Sequence, residues 1–164
     1  MWKKIGDIAV GGLREVGYNN NEEYLVVLSS NGRGIFSCKT GQKVARDYDD
    51  YYMEKYDSDN GIVEGFDCLK GEKIVCCGLE FEDFLKKETS DGWKVVKNPP
   101  EPDDSPFERY NVEKIYLLNK SGNQIIYTTK ISVCELRTYG FSTNGMTFIV
   151  ATSCSLEIWN RSNK

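Results

Sequence analysis

The sequence predicts an all-β protein built from short antiparallel meanders, and three observations carry that expectation. The first is an internal repeat: residues 13–38 return without a gap as residues 136–161. Leu13, Arg14, Gly17, Asn21, Val27, Ser30 and Ile35 recur as Leu136, Arg137, Gly140, Asn144, Val150, Ser153 and Ile158. Tyr18/Phe141, Leu25/Phe148, Val26/Ile149 and Phe36/Trp159 are conservative pairs. A shared order of aromatic, turn, apolar run, small-residue turn and apolar pair is one supersecondary unit used twice. The second observation is a series of short apolar runs rich in β-branched residues and bounded by Gly, Asn and Ser, which read as strands and turns. The third is that helix-period amphipathicity over a dozen or more residues is missing everywhere.

Composition narrows the function. At 164 residues the chain fits a single domain, 1–164, by the prior of roughly 100–200 residues per domain. Its 40% hydrophobic content suffices for an ordinary core. The formal charge is −4 and the pI near 5.0. That balance argues against a nucleic-acid or anionic-membrane ligand, which rewards a basic face through counterion release. It suits a basic protein partner. Histidine is absent, which removes Ser–His–Asp and Cys–His catalysis, His-ligated zinc and the common His general base. Cys38, Cys68, Cys76, Cys77, Cys134 and Cys154 form no Cys-x-x-Cys pair. Most sit in apolar strand-like runs, where free thiols behave as small buried hydrophobes. The first twelve residues lack a continuous apolar core, and no stretch approaches the roughly 18 apolar residues of a membrane span. A cytoplasmic protein with reduced thiols is expected, without cofactor, metal or small-molecule substrate.

Taken in order, residues 5–10 are short and apolar enough for an edge strand, ended by Gly11 and Gly12. Residues 24–28 are a continuous β-branched run, which suits a strand covered on both faces. Residues 29–32 supply a turn, 34–38 the return strand, 39–41 a second turn and 42–46 a further strand. Residues 47–61 break the pattern and read as a short helix or an ordered surface loop. Residues 62–79 then repeat the theme loosely, with an apolar run at 74–77. Residues 80–85 are aromatic and acidic, 89–92 form a turn and 93–96 a strand. All four prolines fall in 98–106, read as a solvated loop. Strands at 112–118 and 124–130 flank a hairpin signal at 119–123. The final unit closes on the strand at 156–159.

Units of roughly forty residues, each a meander with a Gly-aromatic start, are how β-propeller blades read. The blade-like units are 13–46, 62–97, 110–133 and 136–161. Residues 141–153 followed by 156–159 resemble the inner strands of WD40-like blades, although the Gly-His and Trp-Asp dipeptides of true WD40 repeats are absent. Three to four units are too few for the commonest closed propellers. The expected architecture is an open, partial (half) propeller whose free edge is covered by loops or by a partner.

The acidic tract is the first candidate site. Asp47, Asp49, Asp50, Glu54, Asp57 and Asp59 are opposed only by Lys55, so the tract is more negative than the whole chain's −4. Tyr48, Tyr51, Tyr52 and Tyr56 are interleaved. The carboxylates supply steering and charge-assisted bonds to Arg and Lys, and the rings supply desolvated anchors. The plainer alternative is a solvated loop whose tyrosines lie down on the sheet. Asp57 to Gly61 resembles a calcium loop, but its glycine comes one residue early. Glu80, Glu82, Asp83 and Glu88 around Phe81 and Phe84 form a second acid-aromatic group. It reads as a partner contact, a glycosidase acid/base pair or a strand edge kept soluble by charge. Adjacent Cys76 and Cys77 in a strand point to opposite faces, as buried inert thiols. Arg14 and Arg137 precede the Gly-aromatic of each copy, which gives them equivalent positions between units.

Taken together, the small size, acidic charge, missing histidine, half-propeller pattern and Tyr-acid tract resemble immunity proteins of bacterial contact-dependent growth inhibition systems. The type is the half-propeller that neutralises an EndoU-like RNase toxin. The resemblance is carried by MWKKIGDIAVGGLREVG, SSNGRGIFSCKTGQKVARD and FIVATSCSLEIW. It implies a non-catalytic cytoplasmic inhibitor that binds its cognate toxin 1:1 and covers a basic RNA-binding cleft. The competing readings are a WD40-like protein-interaction scaffold and, more remotely, a propeller-type glycosidase.

Overall fold

The computed structural model describes residues 1–49, 55–101, 112–122, 124–131 and 134–161. Strand β1 (Trp2–Ala9) leads through Gly12, at φ +66°, into β2 (Leu13–Tyr18), β3 (Tyr24–Ser29), β4 (Gly32–Ser37) and β5 (Lys43–Asp47). Four short strands follow: β6 (Tyr56–Asp57), β7 (Ile62–Glu64), β8 (Lys73–Val75) and β9 (Cys77–Gly78). Longer strands β10 (Lys94–Glu101), β11 (Val112–Leu118) and β12 (Gln124–Ile131) precede β13 (Leu136–Phe141), β14 (Thr147–Thr152) and β15 (Ser155–Arg161). Every strand pairing is antiparallel. The sole helical element among the described residues is a 3-10 turn at Asp67–Leu69.

The sequence repeat is a structural repeat, residue for residue. Tyr18 pairs with Leu25 as Phe141 pairs with Phe148, and Leu25 pairs with Phe36 as Phe148 pairs with Trp159. Each copy carries a bulge at the same place, between Leu13 and Glu15 and between Leu136 and Thr138. The turn chemistry repeats as well. Tyr24 N–H donates to Asn19 Oδ1 at 2.9 Å, and Thr147 N–H donates to Ser142 Oγ at 3.0 Å.

The fourth strand of each copy comes from a different part of the chain. In the first copy β5 pairs with β4, Phe36 opposite Lys43 and Ile35 opposite Ala45, with a register shift between them. In the second copy β1 takes that place, with Lys4 opposite Trp159, Gly6 opposite Ile158 and the shift at the same step. The sheet order is therefore β1-β15-β14-β13. The expected edge strand at 5–10 does lie on an edge, but it begins at Trp2 because that ring has a core site to fill.

Period-two alternation then sorts the buried side chains into three cores. Along β3, Leu25 and Val27 face one core and Val26 and Leu28 another. Along β14, Ile149 and Ala151 face the core shared with the first copy, while Phe148 and Val150 face a third. Both strands are thus covered on both faces. The first-copy sheet packs on the other side against β6, β7 and β8 through Tyr56, Val63 and Ile74. The second packs against β10 and β11 through Val95, Ile115 and Leu117. Among the described residues no core cluster joins the β6–β8 sheet to the β10–β12 sheet. Residues 62–97 accordingly serve three sheets: β7 and β8 pair with each other, β9 pairs with β2, and β10 pairs with β11.

The inner edges of β2 and β13 are covered by the chain itself. Strand β9 pairs with β2 at Glu15 and Val16, and Lys86 bridges to Phe141. Arg14 and Arg137 tie neighbouring units together: Arg14 forms an ion pair with Glu80, and Arg137 Nε donates to the Leu13 carbonyl at 3.0 Å. Glu22 makes a third tie. Its carboxylate accepts the N–H groups of Thr143 and Asn144 in the twin turn. The turn holds it at φ +60°, as the twin turn holds the equivalent Gly145 at φ +68°.

Two expectations are corrected. The loop expected over 98–106 does not begin at Asn98, because β10 runs through Pro99 and Pro100 to Glu101; residues 102–106 lie outside the described residues. The prolines fit because β10 is an edge strand and its register shifts between Asn98 and Glu101, where missing N–H groups leave no ladder bond unmade. The reading of all cysteines as free reduced thiols fails at Cys134 and Cys154, which form a disulfide with Cα atoms 6.0 Å apart. The Ser153 N–H bond to the Glu135 carbonyl, 2.7 Å, lays the approach to β13 over the β14–β15 turn and brings the two sulfurs together. Cys38, Cys76 and Cys77 are buried free thiols, and burial pushes Cys38 up to about 12. Cys76 and Cys77 do face different cores.

Candidate functional site

The acidic tract divides into residues that hold the fold and residues that face solvent. Asp47 ends β5 and belongs to the first group. Its Oδ2 accepts from Arg33 Nε at 2.8 Å, and its Oδ1 accepts the Asp49 N–H at 2.9 Å. Partial burial works against its charge, but the Asp49 amide and the Arg33 guanidinium more than offset this and hold the carboxyl below its ordinary range. Arg33 is itself buried, donates to the Glu64 carbonyl and lies 4.4 Å above the Phe66 ring. The pair therefore locks β4 and β5 to the β6–β8 sheet.

Tyr56 departs from its expected role. Its ring is 8% exposed and packs with Val26, Leu28, Ile35 and Ile74. The chain returns to the sheet as β6 at this point, so the ring is core rather than anchor. Asp57 is exposed, but its carboxylate accepts the N–H groups of Asp59 and Asn60 and the Asn60 amide at 2.7 Å. The Asn60 side chain, followed by the backbone donors, lowers its pKa. This carboxylate closes a tight turn. Asp50, Tyr51, Tyr52 and Glu54 lie outside the described residues.

Among the described residues of the tract, Tyr48, Asp49 and Asp59 face solvent. Tyr48 is 78% exposed, with the Arg46 guanidinium 5.0 Å from its ring centre. Asp49 is equally open, and its carboxylate lies 3.6 Å from Lys55 Nζ. Asp59 is exposed on the turn that Asp57 closes.

The second acid-aromatic group lies against that turn. Gly61 adopts φ +65° beneath the Phe81 ring, where an added Cβ would stand 2.5 Å from Cγ. This contact joins residues 57–61 to residues 79–84. Glu80 is spent internally: its side chain pairs with Arg14, and its N–H donates to Glu15 Oε1 at 2.6 Å. Asp83 is also spent, accepting from the Thr138 hydroxyl at 2.8 Å and from Lys87 Nζ at 2.6 Å. Glu82 and Phe84 remain exposed, Phe84 at 49%. Among the described residues of the two groups, Asp49, Asp59 and Glu82 are exposed carboxylates outside these internal pairs, and Tyr48 is the most exposed ring.

Sequence reasoning missed three residues that shape this region. Glu15 is wholly buried beneath Glu80, and its Oε2 has no hydrogen-bond partner; desolvation raises its pKa. Nothing in the pattern of β2 marks it, because its twin is Thr138. Lys73 and Val75 flank buried Ile74 and are exposed. The alternation Lys-Ile-Val at 73–75 was the available signal, hidden inside what reads as the apolar run 74–77. No protein-family model matches the chain, and no curated protein matches its sequence.

Proposed function

We propose that this chain is an immunity protein: a non-catalytic, cytoplasmic inhibitor that binds a cognate bacterial nuclease toxin 1:1 and covers its basic cleft. The observation that carries the reading is the division of the acids. Arg33, Arg14 and Lys87 consume Asp47, Glu80 and Asp83 internally, which leaves Asp49, Asp59 and Glu82 facing solvent, Asp49 next in sequence to the exposed Tyr48. A cationic cleft is complementary to that surface in charge, and an amphipathic ring beside it supplies the desolvated contact that anchors such interfaces. The net charge of −4 adds long-range steering in the same direction.

The proposed frame is a half-propeller. In support, four sheets follow in chain order, and the first strand completes the last sheet. The cores join them in sequence, with a gap between the β6–β8 and β10–β12 sheets. The partner is a protein, with no direct contact to nucleic acid or membrane; no helix among the described residues is long and apolar enough to cross one. The test is RNA cleavage by the nuclease-domain protein encoded immediately upstream, with and without the purified chain. Cleavage stops at an equimolar ratio if the proposal holds. Unaltered cleavage at a tenfold excess refutes it and leaves the scaffold reading.

A further inference from the structure

Three turns of this chain carry the same dipeptide: Asn31-Gly32, Asn60-Gly61 and Asn144-Gly145. In each the asparagine is exposed and the glycine buried, and the glycines hold φ at +102°, +65° and +68°. Such a step can react with itself. With no Cβ on the glycine, its backbone nitrogen can approach the Cγ of the preceding side chain. Exposure and backbone conformation do not separate the three turns, but the hydrogen bonds on the asparagine do.

Asn144 is held on both sides of the reaction. Its Oδ1 accepts from the Ser142 hydroxyl at 2.8 Å and from the Met146 N–H at 2.9 Å. The Gly145 N–H, the group that would attack, donates to the Ser142 carbonyl at 3.0 Å. Asn60 is held by a charge: its Nδ2 donates to Asp57 Oδ2 at 2.7 Å and its N–H to Asp57 Oδ1 at 3.2 Å. That carboxylate also opposes the negative charge a glycine nitrogen gains on losing its proton. Asn31 differs. Its bonds are on the backbone, the N–H 3.4 Å from Ser29 Oγ and the carbonyl accepting from Arg46 Nη2 at 2.8 Å, and among the described residues none holds its side-chain amide. The Asp47 carbonyl lies against Gly32, but the Asp47 carboxylate is turned to Arg33 and Lys55.

We propose that Asn31 is a site of self-modification, deamidating through a succinimide. The Gly32 nitrogen loses its proton and bonds to Asn31 Cγ, the Cγ–Nδ2 bond breaks, and ammonia leaves. Water then opens the ring at either carbonyl, so that one amide and one water become one carboxylate and one ammonium ion. Opening at the former main-chain carbonyl gives isoaspartate, whose free carboxylate keeps the oxygen that Arg46 Nη2 already contacts. The Arg46 guanidinium also lies 5.0 Å from the Tyr48 ring centre. The modification therefore places a new carboxylate beside the exposed Tyr48 and makes the net charge of −4 more negative by one. It does not depend on the nuclease reading.

The test holds the full chain in mildly alkaline buffer made with oxygen-18 water and follows label uptake by mass spectrometry. Cleavage after Lys and Arg puts the three steps in three different peptides, and electron-transfer fragmentation distinguishes isoaspartate from aspartate. In the folded protein Asn31 takes up label at least about tenfold faster than Asn60 or Asn144, the worth of the hydrogen bonds those two must break. In the reduced chain unfolded in guanidinium chloride the three steps react at similar rates, which assigns the order to the fold. Asn60 or Asn144 reacting as fast as Asn31 in the folded protein overturns the inference. So does the same order persisting in the unfolded chain, or an Asn31 that stays an amide in the fold while the unfolded chain is labelled.

Discussion

Replacing Trp2 by alanine tests whether the start of the chain is part of the last sheet's core. The indole is 5% exposed, and its ring lies 5.2 Å from Phe148, 5.6 Å from Phe141 and 6.0 Å from Trp93, with the Arg161 guanidinium 5.4 Å away. A tryptophan buries roughly 200 Å², about 5 kcal/mol at roughly 25 cal/mol per Å². Alanine retains about 1 kcal/mol of that, so Trp2→Ala costs about 4 kcal/mol, in line with large-to-small core substitutions. That is a large share of the roughly 5–15 kcal/mol by which domains are stable. Equilibrium urea unfolding followed by far-ultraviolet circular dichroism reads it. With a slope of about 2 kcal/mol per molar, the midpoint falls by about 2 M. Trp2→Phe keeps most of the apolar contact and loses less than half as much. A loss below about 1 kcal/mol for Trp2→Ala would refute the pairing of β1 with β15, since a frayed strand leaves its ring in water whichever residue it carries.

Further outcomes follow from the ties between units. Glu22→Gly relieves about 1 kcal/mol of left-handed strain but removes two charge-assisted bonds worth about 1.5 kcal/mol or more each. The net is a destabilisation of about 2 kcal/mol by urea titration, although the substitution makes the turn match its twin. Cys154→Ser lowers stability by about 3 kcal/mol under oxidising conditions, from the twenty-residue separation of the disulfide, and leaves it unchanged in dithiothreitol. Asp91 accepts from Arg161 and from the Thr89 hydroxyl, and these bonds depress its pKa to about 2. A depressed carboxyl stabilises the fold above its unfolded value and loses that contribution as pH falls towards 2. Because the side chain is 44% exposed, screening trims the effect to about 1 kcal/mol. Asp91→Asn flattens the acid limb by that amount. Glu15 has the opposite sign: burial raises its pKa, so its contribution is largest at low pH and falls as pH rises through the folded value, a decline that Glu15→Gln abolishes.

The frame was legible because it is written twice. Apolar identity at matched positions, such as Val27 and Val150, marks strands buried on both faces, and the turn residues between them recur. What stayed hidden depends on contacts between residues far apart in the chain. Residues 2–9 carry no sign that they complete a sheet begun at Leu136, since a short edge strand looks the same wherever it docks. The disulfide was obscured because Cys134 and Cys154 gain proximity from the β13–β14 meander rather than from a spacing motif. In the acidic tract composition shows where charge collects, but burial sorts the residues. Tyr56 is core and Asp47 a partner of buried Arg33, and neither fact follows from a run of acids and tyrosines. Phe81 and Gly61 show the reverse case, joining two groups that the sequence lists twenty residues apart.

The central claim is that the outward acids recruit a basic partner, and association kinetics test it most directly. The rate constant for binding the upstream-encoded nuclease domain is measured by stopped flow for the native chain and for Asp49→Lys, Glu82→Lys, across ionic strengths from about 0.02 to 0.5 M, where the screening length shrinks below 5 Å. At low salt the double variant associates at least about tenfold more slowly, and the two proteins converge at high salt. An association rate that neither the substitutions nor salt alters would contradict the account.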